Sequence, residues 1–158
     1  MTKGFQIAVV AGVFGFASCI KPKQCDPTPS IQFSDFTILG DSAILEFTFE
    51  DGDGDIGLKE GDTAKPFDFN LYMSYFEKIN GKFVNMDSTL AIPFRFRIPY
   101  LESENSDRCL SGNVSVAITP IYRNTASPYS DTIMYSFYIF DRELRKSNEA
   151  ETPPIISP

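Results

Sequence analysis

A short run from Asp51 to Gly57 carries the clearest chemistry in this sequence. Its three aspartates, Asp51, Asp53 and Asp55, stand at every second position and are separated by glycine. Glycine lets a backbone turn tightly enough for neighbouring side chains to converge, and hard cations such as Ca²⁺ prefer oxygen ligands. Without a cation, three carboxylates held together would repel one another. The run therefore predicts a loop organised around Ca²⁺.

The segment from Asp51 to Asp62 shares only part of the EF-hand pattern. It has acids at the first, third and fifth positions, but Ile56 stands where an EF-hand loop needs glycine, and Asp62 replaces its bidentate glutamate. The flanking sequences also alternate like strands. We therefore expect a cation loop between two strands. The alternative is a solvated acidic turn, because Asp and Gly are ordinary turn residues.

The rest of the sequence must position this loop, and its apolar residues recur with a period of two, which is typical of half-buried strands. This pattern predicts strands over residues 31–39, 43–50, 67–77, 83–98 (a broken run), 113–122, 132–140 and 150–156. No stretch has convincing helical periodicity. About seven strands separated by turn residues predict an all-β fold, an antiparallel β-sandwich of the immunoglobulin or fibronectin kind. Because the chain has no tryptophan, this is a statement of architecture only.

Strand direction brings a fourth aspartate to the loop. Each connection in an antiparallel sandwich reverses the chain, so strands 43–50 and 132–140 finish at the same end if the broken run 83–98 is a single pass. Asp141 directly follows the second of these strands. The predicted ligands of one structural Ca²⁺ are Asp51, Asp53, Asp55 and Asp141, with Asp62 as a candidate fifth ligand.

The N-terminal segment is typical of an export signal. Phe5 to Phe16 form an uncharged apolar run that is too short to span a membrane, and small residues follow it. The ending Ala17-Ser18-Cys19 resembles the lipobox of bacterial lipoproteins, which implies cleavage before Cys19 and a diacylglycerol on its thiol. Two acyl chains would hold the protein firmly to a membrane. The predicted organisation is a signal peptide at 1–18, a lipidated tether at 19–30 and one sandwich domain at 31–158.

Two further cysteines form an even pair once Cys19 is acylated. The count of strand reversals places Cys25 and Cys109 at the end of the sandwich that carries the acidic loop. In an oxidising compartment such a pair favours a disulfide, and the alternative is two free buried thiols.

The composition narrows the classes of function. The net charge of −7 argues against nucleic acid as a partner, and the absence of histidine removes the usual general base and transition-metal ligand. Paired carboxylates for glycan hydrolysis stay open as an alternative. Four aromatic residues would face away from the core, either as a platform for a glycan or a protein or packed under loops: Tyr72, Phe76, Tyr138 and Phe140.

The mature chain resembles a group of envelope lipoproteins from Bacteroidota. The residues that carry the likeness are Phe49 to Leu58, Asn80 to Val84, Ile139 to Arg142, Ser147-Asn148 and Thr152-Pro153. The resemblance implies an outer-membrane lipoprotein of the bacterial cell envelope with an Ig-like domain and no established activity. We therefore expect a non-catalytic binding or scaffold module whose partners are the membrane, through its anchor, and a glycan or an envelope protein. The alternative is a glycan-active enzyme or an accessory glycan-binding protein.

Overall fold

The computed structural model describes residues 25–101 and 109–158. The strands within these ranges are β1 (Ser30–Leu39), β2 (Ser42–Asp51), β3 (Leu71–Ile79), β4 (Lys82–Asn85), β5 (Arg95–Phe96), β6 (Leu110–Ile118), β7 (Thr132–Ile139), β8 (Ala150–Glu151) and β9 (Ile155–Ile156). A single 3₁₀ turn, Asp87–Thr89, is the one helical element in the same ranges. The predicted signal peptide, Cys19 and the first part of the tether lie outside the described residues. Nothing in the described part is a helix long and apolar enough to cross a membrane.

The strands form two antiparallel sheets. One has the order β1-β2-β6, and the other has the order β4-β3-β7-β8, with β5 pairing β3 and β9 pairing β7. Alternating residues of the two sheets meet in a common core, in which Phe47, Tyr75 and Phe137 are fully buried. The predicted all-β sandwich of the immunoglobulin or fibronectin kind is confirmed.

Two of the predicted strands are interrupted but remain single passes. In the run 83–98, both β4 and β5 pair antiparallel with β3, through Ile79↔Lys82 and Leu71↔Phe96. The final run is divided in the same way into β8 and β9, which both pair with β7. As a result, the ends of β2 and β7 fall at one end of the sandwich, which is what the expected position of Asp141 requires.

Two predicted strands are displaced along the chain: β3 covers Leu71–Ile79 where 67–77 was predicted, and β6 covers Leu110–Ile118 where 113–122 was predicted. Residues 67–70 form a loop because side chains bind their backbone groups: Arg97 Nη1 donates to the carbonyl oxygens of Phe67 and Asp68 at 2.8 and 2.9 Å. Strand β6 stops at Ile118, before Pro120, which has no N–H for a ladder hydrogen bond.

Candidate metal centre

The structure brings four of the five predicted ligands to one point. Asp51 is the last residue of β2, Asp53 and Asp55 lie in the loop that follows, and Asp141 follows β7. One carboxylate oxygen from each side chain lies within 4.8 Å of the corresponding oxygens of the other three. Asp51 and Asp141 are only 0% and 1% exposed. The four residues, called the acidic cluster below, are therefore built into the end of the domain.

Asp62, the candidate fifth ligand, lies outside this acidic cluster. Its Oδ2 accepts a hydrogen bond from the Lys59 backbone N–H at 3.1 Å, and its own N–H donates to the Lys59 carbonyl oxygen at 3.0 Å. The carboxylate thus closes a local turn, which is ordinary aspartate chemistry. The candidate ligand set is reduced to the four residues of the acidic cluster.

Three glycines allow the loop to take its path. A Cβ on Gly52 would lie 2.3 Å from the carbonyl oxygen of Asp26, so only glycine lets the N-terminal segment pass against the loop. Gly54 and Gly57 have φ values of 70° and 90°, in the left-handed region that favours glycine. A Cβ on Gly57 would also lie 2.0 Å from the carbonyl oxygen of Pro99. The alternation of Asp and Gly therefore has a steric cause as well as a chemical one.

Ile56 explains why this loop departs from the EF-hand pattern. Its side chain is 0% exposed and belongs to the hydrophobic core between the sheets. Close by, the Leu58 N–H donates to the carbonyl oxygen of Ile98 at 3.0 Å. An apolar anchor thus replaces the glycine that an EF-hand needs at this position, and it fixes the loop to the sandwich.

Three carboxylate oxygens in the acidic cluster are buried without a hydrogen-bond partner among the described residues. They are Oδ1 of Asp51, Oδ1 of Asp53 and Oδ1 of Asp55. The second oxygen of Asp51 is satisfied, because it accepts the Asp55 N–H at 2.8 Å. Leaving a buried acceptor unpaired costs about 1–3 kcal/mol, and more for a charged group. Three such atoms in one acidic cluster need a partner that the described part of the protein does not supply.

The guanidinium of Arg145 contacts two carboxylates of the acidic cluster. Arg145 Nη1 lies 2.5 Å from Asp53 Oδ2 and 3.3 Å from Asp141 Oδ2, while its Nη2 pairs with Glu143. The backbone N–H of Arg145 also donates to Asp141 Oδ1 at 2.7 Å. One guanidinium among four carboxylates leaves an excess of negative charge. Sequence reasoning missed Arg145, because its contacts with Asp53 and Pro27 join residues far apart in the sequence.

The charge excess and burial raise the pKa values of the cluster. Burial, followed by repulsion from Asp53 and Asp141, raises the pKa of Asp51 to about 6, although the hydrogen bond from the Asp55 N–H opposes this. Burial and then repulsion from Asp141, Asp53 and Asp51 raise the pKa of Asp55 to about 7. Burial also raises the pKa of Asp141, against the influence of Arg145. Without a metal ion, the cluster therefore takes up protons near neutral pH; a divalent cation would supply the missing charge instead.

The two predicted disulfide partners lie at the same end. Cys25 and Cys109 are joined, with their Cα atoms 5.7 Å apart. Cys109 directly precedes β6, whose first residue, Leu110, is paired with Asp51. The disulfide therefore attaches the N-terminal segment beside the acidic cluster.

Three of the four aromatic residues predicted to face outward, Tyr72, Tyr138 and Phe140, pack against one another. Tyr72 and Tyr138, cross-strand partners on β3 and β7, stack with centroids 5.6 Å apart and an interplanar angle of 9°. Phe140 meets both rings edge-on. Arg95 lies 5.5 Å from the Tyr72 centroid and Lys146 lies 3.9 Å from the Tyr138 centroid. Because these cations already contact the rings, the arrangement favours packing over a platform for sugars.

In comparisons with known proteins, no family model, no curated protein and no solved structure matches this chain. A sandwich fold alone does not imply a function, so the chemistry of the acidic cluster has to indicate it.

Proposed function

We propose that this chain is a non-catalytic module of the bacterial cell envelope, in which one structural Ca²⁺ organises the end of the sandwich. The observation that carries the proposal is that four aspartates bring carboxylate oxygens within 4.8 Å of one another, and that three of them, Asp51, Asp53 and Asp55, also have a buried oxygen without a hydrogen-bond partner among the described residues. The lipobox-like ending at Cys19 supports attachment to the outer membrane through a lipid anchor. The module would then bind or support a glycan or a protein of the envelope.

The donor atoms favour calcium over other cations. Every candidate ligand is a carboxylate, which suits a hard cation, and the cysteines at this end are joined in a disulfide. Zinc would require nitrogen or thiolate ligands, and the chain has no histidine. Ca²⁺ tolerates about six to eight oxygens in a flexible arrangement, whereas Mg²⁺ demands a tight octahedron. A dissociation constant of about 10⁻⁴ to 10⁻³ M is expected, as in extracellular modules.

The geometry supports a structural ion more than a catalytic pair. Glycosidases need two carboxyl groups on either side of a space that holds the sugar. Here the four carboxylates lie together, with oxygens within 4.8 Å of one another, and do not flank a space of that kind. Neither of two surface grooves, of about 530 and 470 Å³, is lined by any residue of the acidic cluster.

The cation site also lies where the N-terminal segment joins the domain. Cys25 and Asp26 pass directly against Gly52, between Asp51 and Asp53. If Cys19 carries the anchor, the cation site is at the membrane-proximal end of the sandwich. Calcium would then stiffen the base of the module, leaving the opposite end for a partner.

Thermal unfolding tests the proposal. At ten times the dissociation constant, a cation that binds only the folded state adds about 1.4 kcal/mol to the free energy of unfolding. For a domain of this size, the melting temperature should rise by about 4–6 °C in millimolar Ca²⁺ relative to chelator, and by less in equimolar Mg²⁺. If Ca²⁺ does not change the melting temperature, the loop is only a solvated acidic turn and the proposal is refuted.

A further inference from the structure

Arg145 contacts the acidic cluster from one side only. Its Nη1 bonds Asp53 through Oδ2, whereas Asp53 Oδ1 is buried and unpartnered. The same nitrogen lies 3.3 Å from Asp141 Oδ2 and 3.3 Å from the carbonyl oxygen of Pro27. The guanidinium therefore holds Oδ2 of Asp53 and leaves the buried Oδ1 available to a ligand.

We propose that Arg145 is a positioning residue of the cation site, which orients Asp53 and Asp141 from outside and ties the site to the segment that precedes β1. This inference rests on the proposed function. The other role open to an arginine among carboxylates is a resident counter-ion that the metal must displace. The two roles predict opposite effects when the side chain is removed.

The sign of the change in affinity follows from the two roles. A counter-ion lowers affinity, so its removal should tighten Ca²⁺ binding because the site becomes more negative. A positioning residue raises affinity, so its removal should weaken binding as Asp53 loses the partner that fixes its orientation. Losing an outer partner of a metal ligand typically costs about 10–100-fold in affinity. The geometry at Asp53 favours the second outcome.

The turn that carries Arg145 does not depend on its side chain. Leu144 N–H donates to the Asp141 carbonyl oxygen at 3.3 Å, and Asp141 N–H donates to the Arg145 carbonyl oxygen, also at 3.3 Å. The Arg145 side chain is 30% exposed. A substitution there therefore removes the guanidinium contacts while the backbone that holds Asp141 stays in place.

Calorimetric titration with Ca²⁺ at fixed ionic strength tests the assignment. Arg145→Gln should bind about 10–100-fold more weakly than the wild type. Arg145→Lys should recover only part of this loss, because it keeps the charge but lacks the planar guanidinium, whose second nitrogen also pairs with Glu143. Lys146→Gln is the matched control: it changes net charge equally, yet Lys146 pairs with Glu149, outside the cluster. The affinity of this variant for Ca²⁺ should stay within about twofold of the wild type, since the Lys146 charge is exposed to solvent and paired with Glu149.

The outcomes separate the two claims. If the wild type binds Ca²⁺ and Arg145→Gln binds it equally well or more tightly, only the role assigned to Arg145 is overturned. A wild-type protein that does not bind Ca²⁺ overturns the proposed function, and this assignment with it.

A second measurement needs no substitution. Because Arg145 joins the site to Pro27, Ca²⁺ should slow hydrogen exchange at the backbone amides of Thr28, Ser30 and Ile31 in the wild type. Amides of the Asn80–Gly81 turn, which lies in the β3–β4 hairpin, serve as the internal reference. If saturating Ca²⁺ does not change hydrogen exchange at these three amides, the proposed link between the cation site and the segment before β1 is overturned.

Discussion

Replacing Asp51 by asparagine should stabilise the cation-free protein and remove its response to calcium. The asparagine side chain would keep an oxygen that can accept the Asp55 N–H, a bond that Asp51 Oδ2 now makes at 2.8 Å. It would also place an amide, which can donate hydrogen bonds, among oxygens that have no partner. The substitution therefore removes a buried charge without removing the hydrogen bond that shapes the loop.

The magnitude follows from the pKa of Asp51. A rise from 3.8 to about 6 corresponds to roughly 3 kcal/mol of destabilisation once the carboxylate is ionised. Because the asparagine also stays buried, we expect a gain of about 1–3 kcal/mol in chelator at pH 8, where Asp51 of the wild type is charged. In millimolar Ca²⁺ the difference should narrow, since Ca²⁺ adds about 1.4 kcal/mol to the wild type and little to the variant, which has lost a ligand.

Denaturant unfolding in chelator and in millimolar Ca²⁺ gives both quantities from one protein preparation. Asp62→Asn is the control, because Asp62 lies in the neighbouring turn but outside the acidic cluster, and its Lys59 contact can be kept by an amide oxygen. This variant should behave like the wild type in both solutions. An Asp51→Asn protein that is less stable in chelator, or that keeps the full calcium response, would refute the reasoning.

Three further predictions concern the core, pH and the membrane. Ile56→Ala should lower the free energy of unfolding by about 2–5 kcal/mol, because it leaves a cavity at a fully buried position. Ile92→Ala, at an 80% exposed position, should change it by less than about 0.5 kcal/mol. Equal effects of the two substitutions would show that the loop is not anchored in the core. The pKa values of Asp51 and Asp55 are raised to about 6 and 7, so stability in chelator should fall as pH rises from 4 to 8 and these carboxyl groups lose their protons. Ca²⁺ should reduce that fall, and a stability that rises with pH in chelator would contradict the prediction. Cys19→Ala should release the protein from membranes, as measured by detergent partitioning, and unchanged partitioning would exclude the lipid anchor.

Strand periodicity and direction predicted much of the architecture of the acidic cluster. Alternating apolar residues located β2 and β7, and counting chain reversals placed Asp141 beside a loop about ninety residues earlier in the sequence. That count works because sheet geometry depends on direction and pairing, which a two-residue pattern specifies well. It does not depend on the exact length of each strand.

The features that sequence reasoning missed depend on side chains contacting distant backbone. Arg97 binds the carbonyl oxygens of 67–68, and this turns an alternating segment into a loop. Asp62 continues the acidic pattern, yet its carboxylate closes its own turn. Arg145 carries no periodic pattern, and its role depends on a three-way contact with Asp53, Asp141 and Pro27. Such contacts are set by tertiary structure and have no local counterpart in the sequence.

A crystal structure of the protein grown with millimolar Ca²⁺ tests the central claim most directly. We predict one ion between the ends of β2 and β7, with an oxygen from each of Asp51, Asp53, Asp55 and Asp141 at about 2.3–2.6 Å, and with Arg145 still bonded to Asp53 outside the ion. If the carboxylates of the acidic cluster instead hydrogen-bond to one another or to water, with no ion between them at saturating Ca²⁺, the central claim is contradicted.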